Sequence, residues 1–259
     1  MRINDLEMAY ADCGKGEAIL LLHGLALEGR IWRPMIEAYE SQVRFIAPDL
    51  RGHGMSSVGE ADGSLLQIAE DVKALLDALG IEKVCMLGHS MGGYIALAFA
   101  KAYPERLDSL VLLTSNVRAD SPEKRAARLR EAEDPSPHGM AVFAQSLAKR
   151  LSSDPTLAEQ LEDQMRQMKP RGLANILKAI AMRPSQEELV SNLEIPVLAI
   201  AGAEDKISSP AVALEAAWLA KHGHQLILPK AGHMPMLEAP HALGAAIIAF
   251  MECKYEPET

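Results

Sequence analysis

The most constraining feature of this 259-residue chain is a pentapeptide, Gly88-His89-Ser90-Met91-Gly92, with the pattern G-x-S-x-G. It follows a strand-length apolar run, Lys83-Val84-Cys85-Met86-Leu87, and precedes Gly93 to Ala100, which has the composition of a helix. A serine on a tight turn from strand to helix has an exposed hydroxyl, which is the geometry of an activated nucleophile. The bare pattern also occurs by chance, so this interpretation requires a base, an acid and an oxyanion hole elsewhere.

Apolar runs of strand length alternate with segments of helical periodicity over most of the chain. Two short strands are predicted at Met1 to Ile3 and Leu6 to Ala11, joined by a turn at Asn4-Asp5. Longer strands are predicted at Ala18 to Leu22, Val43 to Ala47, Leu107 to Leu113, Ile195 to Ala201 and Gln225 to Leu228. Helices are predicted at Leu65 to Leu79, Pro210 to Ala220 and Pro240 to Met251. This order predicts an α/β fold with a mostly parallel, twisted sheet and helices on both faces.

The alternation stops between residues 116 and 193, where no convincing buried strand is found. Six prolines punctuate this stretch, and its apolar residues recur at helical spacing in three stripes. We therefore predict a helical cap at residues 116–193. It is inserted into an α/β core formed by residues 1–115 and 194–259.

The serine of the pentapeptide needs a base and an acid in loops after strands, where an open α/β sheet places its site. His233 follows the strand at Gln225 to Leu228 and is the best base among the eight histidines. Asp205 follows the strand at Ile195 to Ala201 and is the candidate acid. Glu204 is its competitor, because it lies in the same loop.

An oxyanion hole needs backbone N–H groups aimed at the position where negative charge develops. Met91 opens the helix after the serine and is one candidate donor. Leu25 is the other, because the loop His23-Gly24-Leu25 follows the strand at Ala18 to Leu22. The competing interpretation of this loop is a glycine turn that only links a strand to a helix.

Four segments in chain order resemble the α/β-hydrolase superfamily, and the match runs from Leu6 to Met251. They are the His23-Gly24 loop with Trp32, the segment Asp49-Leu50-Arg51-Gly52-His53-Gly54-Met55-Ser56, the strand Pro196 to Asp205, and Gly232 to Pro240, which matches G-H-x-P-x-x-E-x-P. The chain order Ser90, Asp205, His233 is also that of the superfamily's nucleophile, acid and base. A serine at the elbow argues against haloalkane dehalogenases and epoxide hydrolases, which place an aspartate there.

The resemblance implies a serine hydrolase that acts through an acyl-enzyme on Ser90, and the apolar residues of the cap favour a small-to-medium apolar carboxylic ester or lactone as its substrate. C–C bond hydrolases, thioesterases and aminopeptidases of this fold are alternatives, and a ligand sensor that retains the triad is the alternative outside enzymes. The substrate pocket is expected to include His23, Gly24, Met140, Phe143, Met165 and Met234. Methionines would make such a pocket adaptable, although apolar stripes at helical spacing more often simply pack.

Several polar features are assigned structural roles from the sequence. We expect Arg51 to form a salt bridge within its own loop, and neighbouring His53 to have no catalytic role, since one base suffices. His23 is expected to hold the oxyanion loop, and His89 to shape the pocket wall. The segment Glu123 to Glu133 carries charges of both signs, which predicts a solvated cap surface.

The composition restricts compartment and partners. The formal net charge is −9 and no long Lys/Arg cluster is present, which argues against a nucleic-acid partner. No apolar run reaches the length of about 18 residues that a membrane span needs. The three dispersed cysteines predict reduced thiols in a cytoplasmic protein, and the acidic N-terminus does not resemble a signal peptide. We expect a small-molecule substrate, no metal and no cofactor, and the oligomeric state is left open.

Overall fold

The computed structural model describes residues 1–253, which form nine strands and twelve α-helices. The strands are β1 (Arg2–Ile3), β2 (Leu6–Glu7), β3 (Tyr10–Cys13), β4 (Ala18–Leu22), β5 (Arg44–Pro48), β6 (Val84–His89), β7 (Leu107–Leu113), β8 (Val197–Gly202) and β9 (Gly223–Leu228). The helices are α1 (Arg33–Tyr39), α2 (Leu65–Ala78), α3 (Met91–Ala102), α4 (Pro122–Glu133), α5 (Pro137–Leu151), α6 (Pro155–Arg166), α7 (Pro170–Ala181), α8 (Glu187–Ser191), α9 (Pro210–Ala213), α10 (Glu215–Leu219), α11 (Pro235–Glu238) and α12 (Pro240–Cys253). Within residues 1–253, none of these helices has both the length and the apolarity to cross a membrane.

Strands β3 to β9 form one sheet with the order β3-β5-β4-β6-β7-β8-β9, while β1 and β2 pair separately. β3 runs antiparallel to β5, and every other neighbouring pair in the large sheet is parallel. Every residue of β4 and β6 is buried, which requires cover on both faces of the sheet. Strands covered on both faces appear in the sequence as continuous apolar runs. The predicted α/β fold with a mostly parallel sheet is confirmed.

Two predicted elements are divided in the structure. β2 and β3 replace the single strand predicted from Leu6 to Ala11. Between them the backbone finds other partners, since Met8 N–H donates to the Met1 carbonyl and Ala9 N–H donates to Ser56 Oγ. The helix predicted after β8 is likewise two short helices, α9 and α10.

Helices α4 to α8 lie between β7 and β8, in the stretch without a strand pattern. Three of these helices begin after a capping side chain, because Ser121, Ser136 and Asp154 each accept a hydrogen bond from a backbone N–H three residues later. A proline follows each cap, so these prolines start helices rather than break them. α4 packs against α7, and α5 packs against α6. The division into core and cap domains remains a prediction, and its last six residues lie outside the described part of the chain.

Arg51 forms an ion-pair cluster with two carboxylates from other elements. Its buried guanidinium donates from Nε to Asp71 Oδ2 of α2 (2.7 Å), and both Nη groups donate to Asp5 in the β1–β2 turn. Burial opposes the charge of Arg51, but the hydrogen bonds to Asp71 and Asp5 raise its pKa above the usual value. The salt bridge expected within the loop of Arg51 is therefore made to other elements, and it ties that loop to α2 and to the β1–β2 turn.

We expect Asp71→Asn to lower the free energy of unfolding by roughly 3 kcal/mol, because it removes one partner of a buried charge. Asp77→Asn on the same helix is the matched control, since Asp77 is exposed and pairs with Lys73 and Arg106 at the surface. The control should lose about 1 kcal/mol or less. Urea denaturation of both variants measures the difference, and equal losses would contradict a buried structural role for the cluster.

Candidate active site

The loops that follow four parallel strands meet at one edge of the sheet. β4, β6, β8 and β9 all run in the same direction, so their carboxyl ends lie together. These loops carry Leu25, Ser90, Asp205 and His233 respectively. The four sequence-predicted positions thus lie at the edge where open α/β sheets bind their ligands.

Ser90 occupies the turn between β6 and α3 with a backbone conformation that is rare for a residue with a side chain (φ 52°, ψ −112°). Ser90 N–H donates to the Leu113 carbonyl (3.0 Å), and Ser115 Oγ donates to the Ser90 carbonyl (2.8 Å). Gly88 and Gly92 allow the turn, because a Cβ at Gly88 would overlap the backbone of Gly92, and a Cβ at Gly92 would overlap a carbonyl of β4. Such a strained conformation persists only where the surroundings enforce it.

Asp205 and His233 are in direct contact. His233 Nδ1 lies 2.7 Å from Asp205 Oδ2, and both side chains are almost completely buried. The other carboxylate oxygen, Oδ1, accepts the N–H groups of Ile207 (2.7 Å) and Ser208 (3.0 Å). Because both oxygens act as acceptors, this network assigns the His233 proton to Nδ1 and leaves Nε2 as an acceptor. The competing acid, Glu204, is exposed, so the structure brings Asp205 rather than Glu204 to His233.

The backbone of the His233 loop is anchored on both sides. His89 Nε2 lies 2.9 Å from the His233 carbonyl oxygen, and Thr114 Oγ1 donates to the same oxygen at 3.3 Å. Glu238 Oε2 accepts the backbone N–H groups of the residues before and after His233 (2.7 and 3.2 Å). Burial raises the pKa of Glu238, although these two hydrogen bonds oppose the shift. His89, the variable residue of the pentapeptide, therefore positions the backbone of the candidate base, and it also lines the cavity.

Leu25 and Met91 both line the cavity beside Ser90. Met91 is the first residue of α3, so its N–H has no partner within the helix. His23 fixes the loop that leads to Leu25. Its Nδ1 donates to the Gly24 carbonyl (2.8 Å), and its Nε2 accepts the N–H of Leu50 (3.0 Å). The N–H groups of Leu25 and Met91 remain the candidates for an oxyanion hole.

The cavity consists of two chambers that share a wall at Ser90 and His233. One chamber, of about 70 Å³, is called the apolar chamber after most of the residues that line it alone, which are Leu25, Leu27, His89, Met91, Phe143, Ser146, Leu147, Leu151 and Ile180. The polar chamber, of about 140 Å³, is also lined by Thr114, Asn116, Asp120, Lys124 and Ser208. Both chambers are lined by Tyr94, Arg128, Glu131, Arg150 and Ile207. Ser90 Oγ and His233 Nε2 are not hydrogen-bonded in the described part of the chain, and bonds of this kind often tighten only with substrate.

A family model described as the α/β hydrolase fold matches residues 17–240. The chain belongs to this α/β-hydrolase family. It is 32% identical to a thermophilic esterase from Thermogutta terrifontis with malate bound, with a TM-score of 0.92 over 97% of this chain and 95% of that chain. It is 29% identical over 258 residues to 3-oxoadipate enol-lactonase 2 of Acinetobacter baylyi, covering 96% of this chain and 94% of the relative. The enol-lactonase from Burkholderia xenovorans LB400 is 25% identical, with a TM-score of 0.88 over 96% of this chain and 98% of that chain. These relatives support hydrolase activity for the chain.

The structure of this α/β-hydrolase brings one of six predicted pocket residues to the chambers. Phe143 lines the apolar chamber. The others are buried and do not appear in either chamber wall: His23, Gly24, Met140, Met165 and Met234. Met140 lies on α5 and Met165 on α6, two helices that pack against each other, so burial of these side chains follows from helix packing.

Three charged residues of the hydrolase site are missing from the sequence-based prediction. Arg128, Glu131 and Arg150 line both chambers. The segment Glu123 to Glu133 was expected to be a solvated surface, and Lys124 and Glu131 are exposed while Arg128 is half-buried. These three residues also line the chambers, a role that the sequence analysis did not predict. Lys124, Arg128 and Glu131 are spaced by four and three residues, which places them on one helix face. That spacing is the signal in the sequence that could have identified a charged wall.

Three fully buried histidines lie around the hydrolase site, His23, His53 and His89. Burial lowers the pKa of His23 to about 4 and that of His53 to about 3. Burial, with the neighbouring His233, also holds the pKa of His89 well below its usual value. All three are therefore neutral at pH 7. Among residues 1–253, no group of three His, Cys, Asp or Glu side chains is arranged to bind a metal ion.

We expect the hydrolase to lose stability as the pH falls from 6.5 towards 4. His23 and His53 take up protons below about pH 6.5 when the chain unfolds, whereas in the folded state they resist protonation to about pH 4 or lower. Each one lowers the free energy of unfolding by about 1.4 kcal/mol per pH unit in that interval. Urea denaturation at several pH values measures the slope. His53→Gln should reduce this slope by the contribution of one histidine. An unchanged slope would show that protonation of the buried histidines does not cause the loss of stability.

Proposed function

We propose that the chain is a serine hydrolase that cleaves carboxylic esters or lactones through an acyl-enzyme on Ser90. The observation that carries the proposal is the 2.7 Å contact between His233 Nδ1 and Asp205 Oδ2, beside a cavity that His233 shares with Ser90. A base oriented by a buried carboxylate, next to a serine on a strained strand-to-helix turn, is the arrangement that acyl transfer requires.

The proposed reaction has two half-reactions. In the first, His233 Nε2 removes the hydroxyl proton of Ser90 while Ser90 Oγ attacks the substrate carbonyl carbon. The N–H groups of Leu25 and Met91 stabilise the oxyanion of the tetrahedral intermediate. The intermediate expels the alkoxide, which takes the proton from His233 and leaves an ester on Ser90. In the second, His233 removes a proton from water, which attacks this ester; the new tetrahedral intermediate expels Ser90 Oγ, which takes the proton back from His233 as the acid is released. Asp205 keeps the His233 Nδ1 proton in place throughout.

The named relatives favour esters and lactones among the substrates that a serine nucleophile can cleave. One is an esterase and two are enol-lactonases. A lactone differs from an open-chain ester only in that the leaving alkoxide stays attached to the acyl group, so the same residues serve both. Thioesters, amides and C–C bonds are the alternatives that the same nucleophile could attack, and they belong in the substrate panel as comparisons.

Trapping of the acyl-enzyme tests the proposal. We expect acid quenching during turnover of 4-nitrophenyl acetate, followed by peptide mass spectrometry, to place an acetyl group on Ser90. Steady-state rates for 4-nitrophenyl esters of increasing acyl length, and for a simple lactone, then define the acyl preference. Turnover without acetylation of Ser90 would contradict the mechanism. Slow or single turnover together with a large ligand-induced rise in Tm would support the ligand-sensor alternative instead.

A further inference from the structure

We propose that the site selects esters or lactones that carry a free carboxylate, and that Arg150 and Arg128 bind this carboxylate. The inference rests on the proposed hydrolase function and adds its substrate class. Both arginines line the apolar and the polar chamber, and so do Ser90 and His233. A substrate with its scissile carbonyl at Ser90 therefore occupies a cavity whose shared wall contains two guanidinium groups.

Both guanidinium groups retain donors for a ligand. Arg128 Nε donates to Asp120 Oδ2 (2.6 Å), so the two Nη groups of Arg128 remain available to a ligand. Asp120 Oδ1 accepts Arg183 Nη2 (3.0 Å), so this carboxylate is already shared by two arginines. Arg150 makes no hydrogen bond or ion pair with another residue in the range 1–253. The planar guanidinium group matches a carboxylate through two parallel hydrogen bonds, so Arg150 is suited to be the principal contact.

The charges of the chamber walls favour an anion. Within residues 1–253, the cationic wall residues are Lys124, Arg128 and Arg150, and the anionic ones are Asp120 and Glu131. The charge of Asp120 is further compensated by Arg183, which lies outside both chambers. The wall is therefore net positive in a chain whose formal net charge is −9. Lys124, Glu131 and Arg150 are exposed and Arg128 is half-buried, so water reaches these charges and screens part of their attraction for an anion.

Glu131 supports the competing interpretation, a substrate with a cationic group. It lines both chambers, and no cation lies within ion-pair distance of it among the described residues. At the shared wall one carboxylate is outnumbered by two guanidinium groups, however, so the balance of charge there opposes a cation more than an anion. We therefore assign the site to a carboxylate, and the cationic ester becomes one arm of the test.

Matched esters measure the preference on the acyl side. Mono-4-nitrophenyl glutarate carries the carboxylate, 4-nitrophenyl 5-methylhexanoate replaces it with an isopropyl group, and a trimethylammonium analogue carries the opposite charge. Succinate and adipate monoesters vary the distance between the two ends of the acid. A second pair tests the leaving group: 3-carboxy-4-nitrophenyl butyrate carries the carboxylate on the phenol, and 4-nitrophenyl butyrate is its neutral partner. Rates obtained with Ser90→Ala are subtracted as background, since a free carboxylate can assist spontaneous hydrolysis.

Arg150→Gln is expected to lower the ratio of kcat/KM for the carboxylate ester to that for its neutral partner by about tenfold or more, the usual worth of a charge-assisted hydrogen bond. The intrinsic reactivities of the two esters cancel when this ratio is compared between the wild type and the variant. Arg150→Lys should recover part of the loss, because it restores the charge without the planar fork. Lys149→Gln makes the same charge change on the same helix at an exposed residue outside both chambers, and it should leave the ratio unchanged.

The outcomes separate this inference from the proposed function. Turnover of neutral esters without any preference for a carboxylate, or a ratio that Arg150→Gln leaves unchanged, overturns the inference while the hydrolase proposal stands. A preference for the trimethylammonium ester also overturns it. If no ester is hydrolysed, the proposed function fails, and calorimetry with glutarate still decides the binding question. Glutarate should then bind the wild-type protein at least tenfold more tightly than Arg150→Gln, and equal binding rejects the carboxylate site.

Discussion

Ser90→Ala is expected to lower kcat for 4-nitrophenyl butyrate by about 10⁵–10⁶-fold, the scale on which loss of a serine nucleophile acts. The substitution removes Oγ, the atom that forms the covalent bond, and His233 then has no hydroxyl group to deprotonate. The residual rate would come from transition-state binding by the N–H groups of Leu25 and Met91. Steady-state kinetics with background subtraction measures the loss.

The Ser90→Ala variant should remain folded, so the loss can be assigned to chemistry. The bonds that fix the turn come from the backbone N–H and carbonyl of Ser90, and both remain in alanine. Alanine also retains Cβ, so the strain at φ 52° is unchanged. Ser146→Ala is a useful comparison, because Ser146 lines the apolar chamber but has no part in the proposed steps. Retention of more than about 1% of wild-type kcat by Ser90→Ala would show that another group is the nucleophile.

The sheet and the elbow could be predicted from the sequence because local patterns determine them. Continuous apolar runs indicate strands covered on both faces, and β4 and β6 are buried along their full length. The elbow is specified by Gly88 and Gly92, at which any Cβ would overlap backbone. Asp205 and His233 were placed by their position after strands, and parallel strands deliver such loops to one edge of the sheet.

The substrate chambers could not be predicted in the same way, because they depend on how the cap helices pack. Met140 and Met165 have the helical spacing of buried residues, and periodicity does not tell whether a buried face contacts another helix or a cavity. Arg128 and Arg150 lie on different helices, and only the tertiary arrangement brings both to Ser90. Arg51 illustrates the same limit, since the sequence indicates a salt bridge but does not identify its distant carboxylates.

Asp205→Asn is expected to lower kcat by about 10⁴-fold while the fold is retained. The expected loss depends on which amide atom faces His233. Asp205 Oδ1 accepts two backbone N–H groups, those of Ile207 and Ser208. An amide NH₂ group cannot accept them, so the asparagine oxygen must take the place of Oδ1. The NH₂ group then takes the place of Oδ2 and points at His233 Nδ1.

An NH₂ donor facing Nδ1 reverses the tautomer of His233. Nδ1 must become the acceptor of this bond, so the imidazole proton moves to Nε2. Nε2 can then no longer accept the proton of Ser90, and the imidazolium formed during reaction also loses its neighbouring negative charge. Nitrogen NMR of ¹⁵N-labelled His233 should therefore show protonated Nε2 in the variant and protonated Nδ1 in the wild type. A merely structural contribution of Asp205 would not produce this exchange.

Glu204→Gln is the matched control for Asp205→Asn, because it makes the same change from carboxylate to amide on the neighbouring residue. Glu204 is exposed, and the contact to His233 Nδ1 is made by Asp205. We therefore expect Glu204→Gln to retain most of the wild-type kcat and the wild-type tautomer. Loss of activity in Glu204→Gln with near-full activity in Asp205→Asn would show that Glu204 reaches His233 in the working enzyme. The buried acceptors around Asp205 argue against that rearrangement, since moving Asp205 away would leave the Ile207 and Ser208 N–H groups without their partner.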